Sequence, residues 1–191
     1  PFEDAGLLRM VPDAIVIDIS DSTMLKCVLK DIKDIFGVQY VRMPRCAVDK
    51  IYACDSVFDI GKGIVLKDGT DATIIASGIL VSEALDAAHQ LEQEGISARV
   101  VDMFTWKPID KDLIVKCAKE TGAIVTAENH NIVNGLGSAV AEVLGENSPV
   151  IMSRIGCKDR FGEVGSKEYL MDEFEMTADD IAKQVKVVLN Q

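Results

Sequence analysis

Residues 123–144, Ala-Ile-Val-Thr-Ala-Glu-Asn-His-Asn-Ile-Val-Asn-Gly-Leu-Gly-Ser-Ala-Val-Ala-Glu-Val-Leu, hold a strand, a turn and a helix in one stretch. Ala123–Ala127 is a run of small and β-branched residues without polar alternation, which suits a strand covered on both faces. Gly135-Leu-Gly-Ser138 can make a tight turn, and the apolar stretch from Ser138 to Leu144 reads as a helix. A covered strand running directly into a helix is the unit of an α/β sheet, and few other folds accommodate it.

The same alternation recurs along the chain. Ala14-Ile-Val-Ile-Asp-Ile19 is a covered strand, and Asp21 can cap a helix in which Leu25, Val28, Leu29 and Ile32 share one face. Gly37 ends that helix before the strand Val38-Gln-Tyr-Val41, which makes a β-α-β unit, too small to be a domain by itself. Residues 46–60 lack periodicity and read as a linker. From Gly61 onward, Gly63–Lys67 and Ala72–Ala76 flank Asp68-Gly-Thr-Asp71, which reads as a hairpin turn. Further on come a helix over about 80–94 closed by Gly95, a strand Ser97–Val101, a helix opening at Pro108–Asp110 and a strand Pro149–Ser153. A last helix is capped by Thr177, with Asp180 at capping-box spacing. The expected fold is α/β: residues 61–191 form a three-layer α/β/α domain with a mainly parallel sheet and one antiparallel edge strand. Residues 1–45 precede it as the β-α-β remnant of a second α/β domain.

The net charge of −11 argues against nucleic acid or an anionic membrane surface as a partner, and no apolar run is long enough to span a bilayer. Five cysteines, at 27, 46, 54, 117 and 157, include no Cys-x-x-Cys pair, and Cys27 and Cys117 fall on apolar helix faces. Buried free thiols in a reducing, cytoplasmic setting are expected. Pro1-Phe-Glu-Asp4 opens without Met and already helix-like, which reads as a cut inside a larger protein.

Four places carry candidate chemistry. Glu128 and His130 stand at the end of a strand, where open α/β sheets bind ligands, and could do acid/base work or hydrogen-bond at a loop or interface. Gly135 and Gly137 could serve the turn or present N–H groups to an anion, although Val140 stands where a dinucleotide fingerprint needs its third glycine. Arg45, just past the strand Val38–Val41, could hold a phosphate bidentately, whereas Arg42 would point elsewhere. Arg154 to Gly165 reads as a Gly-rich basic loop after the last strand, suited to clamping a substrate or closing on a neighbour. His89, mid-helix, reads as surface.

Several segments together resemble the C-terminal section of transketolases: Pro1–Arg9, Val41–Arg45, Ala76-Ser-Gly-Ile-Leu-Val-Ser-Glu83, Val101-Asp-Met-Phe-Thr-Trp-Lys-Pro108, Glu128–Ala139 and Phe161-Gly-Glu-Val-Gly165. The resemblance implies that residues 1–45 end a pyrimidine-binding domain and that 61–191 are the transketolase-type C-terminal domain. It implies transfer of a two-carbon ketol unit between sugar phosphates, with thiamine diphosphate and Mg²⁺ in the complete enzyme. It places Arg45 on the substrate phosphate and gives these residues no catalytic, cofactor-binding or metal-ligating side chain. An N-terminal section or subunit is the implied partner, in a homodimer or heterotetramer, and the fragment alone is expected to be inactive. Around Asp18-Ile-Ser-Asp21 the family's Arg-Pro-Ala-Asp pattern is missing except for Asp21. The β subunit of a thiamine-dependent 2-oxoacid dehydrogenase, a deoxyxylulose-phosphate synthase and a non-catalytic assembly module share the plan and stay open as alternatives.

Overall fold

The computed structural model describes residues 2–45 and 47–190, so the expectations that fall on Pro1 and Cys46 lie outside the described residues. The chain begins with α1 (Asp4–Arg9), β1 (Ile15–Asp18), α2 (Ser22–Ile32) and β2 (Gln39–Arg42), with β1 and β2 parallel. Asp21 caps α2 by accepting from the N–H of Met24 at 2.8 Å. Met24, Val28 and Ile32 of α2 bury against Ile17 and Ile19 on one side of β1. Val16, on the alternate face of that strand, packs with Ala5 of α1 and Leu8 beside it. That two-sided cover explains the apolar run around β1.

Next come β3 (Ile64–Lys67), β4 (Ala72–Ala76), α3 (Leu80–Gln93), β5 (Ala98–Asp102), β6 (Thr105–Lys107) and α4 (Lys111–Thr121). The chain ends with β7 (Ala123–Asn131), α5 (Leu136–Asn147), β8 (Ile151–Cys157), α6 (Lys167–Glu173) and α7 (Ala178–Val188). A five-stranded sheet has the order β3-β5-β4-β7-β8, parallel except for β3 at its edge. Its pleat divides neighbouring residues between two cores. Ile74, Val100 and Val125 face α3 and α7, while Ile75, Val101 and Ile124 face α4 and α5. The capping box of Thr177 and Asp180 opens α7 as its spacing predicts.

The structure corrects three readings. Asp68–Asp71 is not a hairpin turn, because β5 lies between β3 and β4. Gly69 makes this possible: a Cβ there would sit 2.4 Å from the Ala98 carbonyl carbon, so only glycine lets the connection cross the start of β5. The Ser97 carbonyl accepts from the N–H groups of Thr70 and Asp71 in place of a hairpin ladder. Second, β7 does not stop at Ala127 but runs to Asn131, taking Glu128 and His130 into the strand. Third, residues 154–157 belong to β8 rather than to a loop.

Two elements had no sequence signal that we read. One is α6. The other is β6, which leaves the larger sheet and pairs antiparallel with β1, completing a three-stranded sheet of order β2-β1-β6. Trp106, at its centre, is almost wholly buried in the core shared by the two sheets. Residues 47–60 carry no helix or strand, yet Tyr52 and Phe58 bury against Phe104 and the α2 side of the first sheet. Among the described residues Cys27, Cys54, Cys117 and Cys157 are free thiols, Cys117 and Cys157 buried. No helix among the described residues is long and apolar enough to cross a membrane.

Candidate functional site

The C-terminal ends of β1 and β2 open into a groove of about 1130 Å³ between the two sheets, walled on the far side by residues 161–167. Asp4, Asp18, Arg42 and Arg45 are among its lining residues, and of the two arginines Arg45 is the exposed one. This is the edge of a parallel sheet at which ligands bind in open α/β folds.

Arg42, whose side chain is 11% exposed, is committed to the protein itself. Its Nε donates to Asp4 Oδ2 at 3.1 Å, one terminal nitrogen donates to the Asn129 carbonyl at 2.9 Å, and the other lies 3.4 Å from Asp18 Oδ1. The guanidinium also stacks 5.8 Å from the centre of the Trp106 ring. Tyr40 donates its hydroxyl to the same Asp4 oxygen at 2.6 Å. Asp18 accepts from Ser77 Oγ at 2.9 Å, and Ser77 in turn accepts from Trp106 Nε1 at 3.1 Å. Gly78, in the left-handed region at φ 57°, leaves room for this carboxylate: a Cβ would stand 2.6 Å from Asp18 Oδ2. Burial raises the Asp18 pKa above the usual range, with Arg42 opposing it. Burial also works against the Asp4 anion, but the Tyr40 hydroxyl and Arg42 outweigh it and hold Asp4 below its ordinary value. Desolvation and the bond to Asp4 push the Tyr40 phenol up to about 12. Arg45, by contrast, is exposed.

Glu128 is fully buried, and its carboxylate accepts from the N–H groups of Leu136 at 2.6 Å and Gly137 at 2.8 Å. The N-terminus of α5 therefore holds an internal carboxylate, for which Gly135 leaves room, while Gly137 leaves room for the Arg154 side chain. A Cβ on Gly135 would come within 1.9 Å of Glu128 Oε2, and one on Gly137 within 2.7 Å of the Arg154 side chain. His130 is 1% exposed. Its Nε2 accepts from the Gly6 N–H at 3.1 Å, and Nδ1 donates to the Asn131 carbonyl at 2.7 Å, which fixes the neutral Nδ1–H tautomer. Burial lowers its pKa. Its ring meets Trp106 edge-on at 5.3 Å. His130 thus joins α1 to β7 across the seam, beside Asn134, whose side chain donates to the Gly6 carbonyl at 2.7 Å. His89 is exposed, as expected for a surface residue.

A further buried acid escaped sequence reading. Asp102, at the end of β5, accepts from Ser20 Oγ at 2.6 Å and Tyr52 Oη at 2.8 Å, tying three separate segments together. Its other oxygen is buried without a hydrogen-bond partner. Asp21 also does more than cap α2: its second oxygen accepts from the N–H groups of Ile51 and Tyr52 at 3.0 and 2.9 Å. The one available signal is an acid at or just past the end of an apolar run.

Burial pushes Asp102 and Glu128 up to about 7. A raised folded-state pKa stabilises the fold fully below the unfolded value and loses that contribution as pH rises through the folded value. The urea midpoint is therefore expected to fall as pH climbs from about 5 to about 8. Asp102→Asn should flatten that slope by its own share. An unchanged slope in the variant would show that Asp102 does not titrate in this window.

Among the described residues no three His, Cys, Asp or Glu side chains converge to hold a metal ion. In the groove, Asp4 accepts from Arg42 and Tyr40 through Oδ2, with Oδ1 buried and lacking a hydrogen-bond partner, and Asp18 is held by Arg42 and Ser77. These residues do not make a cradle for a diphosphate–metal pair.

The family model described as "Transketolase, C-terminal domain" matches residues 61–181. A "6-deoxy-6-sulfo-D-fructose transketolase subunit" of Clostridium sp. (strain MSTE9) is 42% identical over 181 residues, 95% of this chain and 56% of that protein. A "putative transketolase C-terminal section" of Methanocaldococcus jannaschii is 41% identical over 96% of this chain and 58% of its own length. The chain thus spans little more than half of these curated relatives. A solved "split gene transketolase, inactive beta4 tetramer" superposes with a TM-score of 0.96 at 43% identity, over 99% of this chain and 62% of its own.

Proposed function

The chain belongs to the transketolase family, and from that premise we propose that it is the C-terminal section of an enzyme that moves a two-carbon ketol unit between acidic sugars. In this reading residues 1–45 end a pyrimidine-binding domain, 46–60 connect, and 61–191 are the C-terminal domain. Thiamine diphosphate with Mg²⁺ supplies the bond-making chemistry in the complete enzyme. Since the described residues do not fit that group, they are assigned binding and support.

The observation that carries the reading is the contrast between two arginines on one strand end. Arg42 is consumed by Asp4 and Asp18, whereas Arg45 lines the same groove and is exposed. An exposed guanidinium at this position can grip a tetrahedral anion with two parallel hydrogen bonds. Relatives are named for sugars ending in such groups. One is the sulfo-fructose of the Clostridium protein; another is the 4-phosphate of an apulose-4-phosphate transketolase from Phocaeicola vulgatus, 38% identical over 94% of this chain. Arg45 would hold that terminal anion away from the reacting carbons, contributing binding energy remote from the chemistry. That the split-gene relative is an inactive β4 tetramer supports inactivity of such a section alone. A second reading is favoured by the 37% identity over 94% of this chain to a "1-deoxy-D-xylulose-5-phosphate synthase" of Heliobacterium modesticaldum, in which the same arginine would serve a phosphorylated acceptor.

Arg45→Ala in the reconstituted enzyme should raise KM for a phosphorylated or sulfonated sugar about 10- to 100-fold, the worth of a charge-assisted hydrogen bond. The unphosphorylated analogue should be turned over as before. An equal loss on both substrates, or none on either, would remove Arg45 from the site.

A further inference from the structure

The basic residues between Arg154 and Gly165 are spent within the protein. Arg154 donates to the Ile132 carbonyl at 3.0 Å. Lys158 pairs with Glu175, and Arg160 pairs with Glu173 at 2.8 Å while its guanidinium stacks 4.2 Å from the centre of the Phe174 ring. Tyr169 donates its hydroxyl to Glu163 at 2.8 Å. These contacts brace the segment before α6 against the helix and the turn that follows it, and they leave none of its cations for a ligand. Lys167, the first residue of α6, differs. Ser166 caps the helix just ahead of it, accepting from the Tyr169 N–H at 3.2 Å, so the backbone at Lys167 is held in place. Its side chain enters no ion pair or hydrogen bond among the described residues.

Three cations line the groove at the ends of β1 and β2: Arg42, Arg45 and Lys167. Arg42 is held by Asp4 and Asp18, which leaves Arg45 and Lys167 for a ligand. The groove also carries Glu3 and Glu163, both exposed, and the chain as a whole bears a net charge of −11. In that field one exposed guanidinium is a weak trap for a doubly charged group, because exposed charge pairs contribute little singly and the surrounding acids repel the anion. A second cation in the same groove offsets that repulsion, and its attraction grows in proportion to the ligand's charge.

We infer that Lys167 is the second cation for the terminal anion of the sugar and sets a preference for a phosphate dianion over a sulfonate monoanion. The inference rests on the assignment of Arg45 to that anion and adds a residue of the C-terminal domain to the same subsite. Arg45 offers a planar fork that suits the oxygens of either group. Lys167 offers a point charge, worth twice as much to a dianion as to a monoanion. The sulfo-sugar and phospho-sugar names among the relatives describe the two ligands that such a residue would separate.

The test is kinetic, in the enzyme reconstituted from this chain and the complementary N-terminal section, at about pH 8, where a phosphate ester is a dianion. Three sugars that differ in one group serve as donors: fructose 6-phosphate, 6-deoxy-6-sulfofructose and fructose. Lys167→Met should raise KM about threefold for the sulfonate, the loss of one exposed ion pair. For the phosphate the rise should be about tenfold, the square of that factor, since the charge doubles. Turnover of fructose and kcat on all three sugars should match the parent enzyme. Lys167→Arg should keep the parent's ratio of phosphate to sulfonate KM, and Lys119→Met, an exposed lysine on α4 outside the groove, should keep every KM. Parent-like KM values in Lys167→Met, with Arg45→Ala still selectively impaired on the anionic sugars, would overturn the inference and leave the assignment of Arg45 standing. An equal loss on all three sugars would overturn it by showing a structural role, and an equal loss on the two anions by showing that charge does not set the preference. If Arg45→Ala and Lys167→Met are both without effect, the assignment of Arg45 falls as well.

Discussion

Gly135→Ala is expected to destabilise the chain by roughly 3–5 kcal/mol, combining an overpacked core with two stranded N–H groups. The backbone is not the reason, because Gly135 has φ −87°, open to any residue. The obstacle is the space that a methyl group would take. A Cβ would stand 1.9 Å from Glu128 Oε2 and 2.7 Å from His130 Nδ1, both wholly buried. The carboxylate would have to leave Leu136 and Gly137, and the N-terminus of α5 would lose its anion in a place water does not reach. Gly145→Ala in the same helix meets nothing within 4 Å and should stabilise by about 0.5–1 kcal/mol, the ordinary helix gain over glycine. Urea unfolding of the two variants side by side checks the account. Similar stability for both would mean that Glu128 has room to move.

Arg42→Met should cost about 3–5 kcal/mol, the loss typical of removing one partner from a buried ion network. The variant keeps much of the aliphatic volume but leaves Asp4 and Asp18 facing each other without a cation, the latter fully desolvated. Adding Asp4→Asn should recover part of the loss, so the double variant is less destabilised than the two single changes summed. Strict additivity by chemical denaturation would show that Arg42 acts through packing on Trp106 rather than through charge.

Local signals carried most of the fold. Covered strands, helix faces, the Thr177 capping box and the Gly95 stop all follow from short-range periodicity and caps, and each appears at its place. What failed was pairing. Asp-Gly is a strong hairpin signal, yet Gly69 serves close approach to β5, and that is decided by a strand about thirty residues away. Thr105-Trp-Lys107 is too short for any periodicity, and its partner β1 lies near the start of the chain. The site had the same limit. Glu128 and His130 were visible as a polar pair at a strand end, but the Gly6 N–H that holds His130 is 124 residues away. Nothing local marks Asp18 and Asp102 as partners in buried networks; the seam between the sheets, built from distant segments, shows it.

The most direct test of the account is a ketol-transfer assay with thiamine diphosphate and Mg²⁺ on three samples: this chain, the complementary N-terminal transketolase section, and the two together. Turnover of a phosphorylated or sulfonated sugar in the mixture alone, lost with Arg45→Ala at low substrate, is the predicted result. Turnover by these 191 residues alone, or none in a mixture in which the two sections demonstrably bind, would contradict it.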